Sequence, residues 1–122
     1  MKNNITILTI FLIITLFSIK ILPGQSNIKI TKIMPLKYLT PNGDGINDEI
    51  SFVIENPKES IISGCIYDIT GAFVSDFQWQ GDNSLLKWDG KGLNGTIVRE
   101  GIYIYKIKAE DKEINGTIVV LK

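Results

Sequence analysis

The chain has no histidine, a single cysteine and no net charge, its 13 basic residues balancing 13 acidic ones over 122 positions. Each shortage removes a class of function. Without histidine there is no imidazole to act as general base, proton shuttle or metal ligand. One thiol, Cys65, cannot close an intrachain disulfide or build a multi-thiolate zinc site. A balanced charge leaves no electrostatic footprint for nucleic acid or an anionic membrane. The length accommodates one domain. Paired carboxylates for acid–base work are also missing as a pattern. Asp68, Asp76, Asp82 and Asp89 are spread among separate turns, and a domain this small offers little concavity to gather them. These features together predict a protein that is not an enzyme.

What is present starts with an apolar run, Ile5 to Phe17, preceded by Lys2. At roughly 13 residues it is short for a membrane span and fits the hydrophobic region of a secretory signal. Residues 1–24 are therefore read as a signal peptide, cleaved after Gly24 or Ser26, or as a short N-terminal anchor. No cysteine lies near the end of the run to take a lipid. Losing Lys2 and Lys20 leaves 11 basic against 13 acidic residues, a net charge of −2, on a domain of residues 25–122. The expected location is outside the cytoplasm: periplasmic, at the cell surface or extracellular. Contact with a membrane is expected only through the N-terminal segment, if it is retained.

Beyond residue 27 no apolar period near 3.6 is sustained. Short alternating runs are separated by Gly, Asn, Asp and Pro. Strands are predicted at Ile28–Met34, Glu49–Glu55, Ile61–Ile69, Ala72–Trp79, Leu85–Trp88, Ile102–Ala109 and Ile114–Leu121. Ile50, Phe52 and Ile54 share one face of the second. Lys106 and Lys108 put Tyr103, Tyr105, Ile107 and Ala109 on the inward face of the sixth. About seven strands with frequent turn signals specify an all-β fold, an antiparallel immunoglobulin-like β-sandwich. Trp88 is expected in the core and Asp89 in a turn, where its carboxylate takes backbone N–H groups. Trp79 lies nearer a loop, and an exposed Trp could stack on a sugar ring. Cys65, alternating with Ser63 and Tyr67, reads as a small buried hydrophobe, with intermolecular pairing as the alternative. Asn94-Gly95-Thr96 and Asn115-Gly116-Thr117 fit the glycosylation pattern only because Asn-Gly turns do.

Three segments together resemble a group of bacterial surface modules. Tyr38-Leu39-Thr40-Pro41-Asn42-Gly43-Asp44-Gly45-Ile46-Asn47-Asp48 looks like the opening of the gliding-motility-associated C-terminal domain, a type B sorting signal for type IX secretion. Ile66-Tyr67-Asp68-Ile69-Thr70-Gly71-Ala72-Phe73-Val74 is similar to a hairpin shared by that domain and the immunoglobulin-like domain of the flagellar hook-capping protein. Trp88-Asp89-Gly90-Lys91, Asn94-Gly95 and Gly101-Ile102-Tyr103-Ile104-Tyr105-Lys106 are similar to a third block of both groups. The resemblance implies an immunoglobulin-like sandwich, extracytoplasmic placement and a non-catalytic role in adhesion, scaffolding or assembly, with protein partners in the cell envelope or the secretion machinery. A sorting module for type IX secretion is the alternative, and a calcium-dependent carbohydrate-binding module the second alternative.

The candidate ligand chemistry sits in the first of these segments. Asn42, Asp44, Ile46 and Asp48 place oxygens at alternate positions, and Gly45 permits the sharp turn a calcium loop needs. Aligned with an EF-hand, Asn42 and Asp44 take the third and fifth positions, Ile46 donates a carbonyl and Asp48 falls at the ninth. Thr40 and Ser51 stand where acidic residues belong, so further ligands such as Glu49, Asp82 or Asp89 would be needed. The competing reading is a loop whose side chains bond their own backbone amides. Both stay open at the level of sequence.

Overall fold

The computed structural model describes residues 27–36, 38–81 and 84–122. The segment expected as a signal, residues 1–24, and Asp82 lie outside them. The described chain forms eight strands and no helix: β1 (Lys29–Met34), β2 (Ile50–Glu55), β3 (Ile62–Asp68), β4 (Phe73–Asp76), β5 (Gln78–Gln80), β6 (Leu85–Trp88), β7 (Gly101–Ala109) and β8 (Lys112–Val120). Two four-stranded antiparallel sheets run β1-β2-β6-β5 and β4-β3-β7-β8. In the lettering of immunoglobulin sandwiches these are A-B-E-D against C′-C-F-G. The expected all-β, immunoglobulin-like class is the observed one, with eight strands in place of seven.

The extra strand has a physical cause. The run Ala72–Trp79 was expected as one strand, yet it changes sheets at Phe77. β4 pairs with β3, whereas β5 pairs with β6 on the opposite layer. Phe77 still donates its N–H to the Gly64 carbonyl (3.0 Å), and its ring drops into the core. Gly64 makes the crossing feasible, because a Cβ there would lie 2.6 Å from Phe77 Cδ2. Burying that aromatic ring outweighs continuing a regular edge strand.

Alternation elsewhere follows the sequence. Ile50, Phe52 and Ile54 of β2 and Tyr103, Tyr105, Ile107 and Ala109 of β7 are buried between the layers. Phe52 is the hub, with ring centroids 5.2 Å from Phe77 and 4.7 Å from Tyr105. Trp88 packs on Tyr103 at 5.5 Å. The Tyr103 hydroxyl donates to the Arg99 carbonyl (2.7 Å), a corner typical of the F strand in these sandwiches. The β7–β8 turn is tighter than expected. Ala109 faces Lys112 directly, so only Glu110 and Asp111 form the turn, and Lys112 and Glu113 already belong to β8. Cys65 also departs from expectation. It is half-buried on the outer face of β3, with its thiol 3.4 Å from an Asp76 carboxylate oxygen. The inward positions of that strand are taken by Ile62, Gly64 and Ile66.

Candidate functional site

All three sequence motifs meet at one end of the sandwich. Ile50, which follows the Thr40–Asp48 loop, pairs with Trp88. Asp68, which ends β3, pairs with Tyr103, and Gly101 pairs with Val120. The Trp88–Tyr103 contact joins the two layers at this level.

The first loop is anchored by Leu39, which is fully buried. Its N–H reaches the Val119 carbonyl (2.8 Å), and its own carbonyl accepts from Leu121 N–H (2.9 Å). The loop beyond is closed by Asp48. One carboxylate oxygen accepts from the N–H groups of Asn42 (3.0 Å) and Gly43 (2.8 Å), the other from Gly45 (2.6 Å). Asn42 Oδ1 takes the Asp44 N–H, and Asp44 Oδ1 takes the Ile46 N–H. The Thr40 hydroxyl donates to the Ile46 carbonyl. Gly43 and Gly45 adopt positive φ values of 80° and 84°, which turn successive amides inward onto one carboxylate.

Of the four candidate calcium ligands, Asn42, Asp44 and Asp48 therefore spend side-chain oxygens on backbone amides, and the Ile46 carbonyl takes a hydroxyl. Among the supplementary ligands, Glu49 is paired with Lys87 at 2.5 Å, and Asp89 accepts the Lys91 N–H at 3.1 Å. Among the described residues no three acidic or thiol side chains gather as a ligand set.

The amides of Gly43, then Gly45, hold the Asp48 carboxyl below its ordinary pKa, with Asn42 adding to them. A depressed folded-state value contributes stability that is complete above the unfolded value, about pH 4, and is lost as pH falls through the folded value. Asp48→Asn is accordingly expected to lower the melting temperature at neutral pH and to flatten its fall below about pH 4. Acid melting curves of the variant against the parent check this. Millimolar calcium added to the parent is expected to leave the midpoint unchanged.

The second and third motifs use the same device. Asp68 Oδ1 accepts from Thr70 N–H (2.8 Å), the Thr70 hydroxyl (2.6 Å) and Ala72 N–H (3.0 Å), which folds the β3–β4 turn. The Thr70 hydroxyl, then the Ala72 amide, depresses its pKa. Asn94 Oδ1 takes both the N–H and the hydroxyl of Thr96. Trp88 donates its indole N–H to the Lys91 carbonyl (2.9 Å), fixing the path of Trp-Asp-Gly-Lys as it leaves β6. Gly90, at φ 74°, lies against the first loop, and a Cβ there would stand 2.9 Å from Pro41 Cγ. The Thr-Pro-Asn-Gly-Asp-Gly and Trp-Asp-Gly motifs are thus two halves of one packed surface.

Around these rigid turns stand exposed apolar side chains: Ile46, Ile69, Leu93 and Ile97. The sequence singled out Ile46 only for its carbonyl and Ile69 only as the end of a strand, and Leu93 and Ile97 fall outside the predicted strands, so alternation marked none of them as an exposed apolar group. Their placement beside self-bonded loops is the signal that only the fold supplies. Trp79, by contrast, is on β5 and 37% exposed, apart from this surface.

Residues 33–120 match the family model of the CHU_C type IX secretion signal domain. Among solved structures, the chain resembles PorZ, described as an essential bacterial surface component of the type-IX secretion system of Porphyromonas gingivalis. The TM-score is 0.55 at 19% identity, over 75% of this chain and 11% of PorZ. That likeness concerns the fold, and the chain spans about a ninth of the PorZ length. No curated protein matches it in sequence. The family match covers all three motifs and every strand from β2 to β8, and on it the chain belongs to the type IX secretion signal domain family.

Proposed function

We propose that this domain is a sorting module for type IX secretion, and that the secretion machinery reads the end of the sandwich where the three motifs meet. The family match over residues 33–120 carries the reading. It favours sorting over adhesion, scaffolding or calcium-dependent glycan binding, because the matched family is defined by secretion. A domain of this family implies a secreted or surface-held protein, in keeping with an apolar run ahead of it.

The site chemistry fits recognition without catalysis. Loops whose amides are satisfied by Asp48, Asp68 and Asn94 hold one shape in the absence of a partner. Little conformational entropy then remains to be lost on binding. Ile46, Ile69, Leu93 and Ile97 supply the apolar area that such binding would bury.

Fusing residues 25–122 behind a periplasmic reporter in a type-IX-competent host tests the reading. The reporter is expected at the cell surface or in the medium, and periplasmic retention contradicts the proposal. A fusion carrying Ile46→Ser and Leu93→Ser is expected to stay folded, since both side chains are exposed, yet to lose most of its export.

A further inference from the structure

The first sheet holds a buried hydroxyl on its outer face. Ile50, Phe52 and Ile54 point into the core, so Ser51 points away from it, and its cross-strand neighbour Met34 shares that outer face. Pro35 is where the chain leaves this face, since Leu39 already lies against β8 of the other sheet. A serine on the outer face of a sheet is ordinarily wet. Ser51 is only 8% exposed, and among the described residues its hydroxyl has no hydrogen-bond partner. A buried polar group left unpaired costs stability and calls for an explanation.

That serine lines a hollow of about 530 Å³ beside the first loop. Met34 and Pro35 give the hollow apolar walls, and Asp48, Glu49 and Asp89 bring carboxylates to it. None of its described lining residues is basic. Two of the carboxylates are answered by neighbouring lysines, Glu49 by Lys87 at 2.5 Å and Asp89 by Lys91 at 3.6 Å. Among the described residues Asp48 meets backbone amides and no cation. Its Oδ2 accepts from the Gly45 N–H alone, so a lone pair stays open. One negative charge without a cation thus stands with one hydroxyl without a partner in the same hollow.

We infer that this hollow receives one arginine side chain of the protein that reads the sorting module, an assignment that rests on the sorting reading above. Arginine brings the single positive charge that the hollow lacks. Its guanidinium carries N–H donors enough for both Asp48 Oδ2 and the Ser51 oxygen, and has no acceptor to leave unpaired. Its methylene stem suits the apolar walls at Met34 and Pro35. A guanidinium is also more weakly hydrated than an ammonium, so it gives up water more readily than lysine. The hollow shares Asp48 and Asp89 with the end of the sandwich where the three motifs meet, which makes it part of the same recognition surface.

An NMR titration tests it. The full chain, isotope-labelled and produced in an exporting host, is titrated with N-acetyl-arginine amide and, separately, with N-acetyl-citrulline amide, its uncharged near-isostere. The expected result is saturating shifts of the Glu49 and Ser51 amide signals with the arginine compound, and several-fold smaller ones with citrulline. No saturating shift, or equal shifts with both, would overturn the assignment. Ser51→Ala removes the hydroxyl alone. It is expected to raise the melting temperature by a few degrees, as the loss of an unpaired buried group should, while weakening the arginine shifts several-fold. A lower melting temperature with unchanged shifts would show that the hydroxyl serves the fold and not a ligand. Surface delivery of the parent reporter fusion is read separately. Delivery without arginine binding sinks the hollow and keeps the sorting reading, whereas arginine binding without delivery sinks the sorting reading and, with it, the identity of the arginine's owner.

Discussion

Trp88→Ala is expected to remove about 3–5 kcal/mol of stability, against a total of roughly 5–15 kcal/mol for a domain of this size. The indole is 1% exposed, packs against Tyr103 across the layers in a tilted ring contact and donates to the Lys91 carbonyl. Truncation therefore opens a cavity between the sheets and leaves the Trp-Asp-Gly-Lys segment without its anchor. Urea unfolding is the measurement. The midpoint should fall sharply while the slope is unchanged, as for a change in stability alone. Trp88→Phe should recover much of the packing and none of the hydrogen bond, leaving it between the two. A midpoint near that of the parent for Trp88→Ala would show that the layers are not tied there.

Gly90→Ala comes next, and it separates two effects that coincide at one residue. A side chain at φ 74° costs about 1–2 kcal/mol in backbone conformation. A Cβ at Gly90 would also drive into Pro41, adding about 1–3 kcal/mol of overpacking. Gly95 has nearly the same φ, 75°, with nothing within 4 Å of its absent Cβ. Gly95→Ala should therefore show the conformational cost alone. The expected losses in melting temperature are roughly 10–20 °C for Gly90→Ala and roughly 5–10 °C for Gly95→Ala. Equal losses would mean that the two loops do not pack on each other. The contrast bears on function, because the proposed recognition surface exists only if those loops form one body.

Much of this architecture was legible in the chain. Clean alternation at Ile50–Ile54 and Tyr103–Ala109 reports burial directly, since each strand has one face on the core. The strand change at Phe77 was less so. Val74 packs against the core and Phe77 is buried in it. They are three residues apart, an odd spacing that one strand cannot place on one face. That break in parity was the available signal, and it was masked by the β-forming composition of the segment. The partners of Asp48 and Asp68 follow from short-range turn chemistry. The packing of Gly90 on Pro41 does not, because it joins residues distant in sequence. The exposure of Ile46 and Leu93 was equally hidden, being a property of where the turns end up. The expectation of an export segment at residues 1–24 comes from their apolar run, and those residues lie outside the described ones.

The most direct test of the sorting account compares one reporter fused to residues 25–122 in two otherwise identical hosts, one with an intact type IX translocon and one lacking it. Protease accessibility of the reporter on whole cells is the readout. The account predicts an accessible reporter in the intact host and a protected, periplasmic one in the other. Equal accessibility in both, or protection in both, would contradict it.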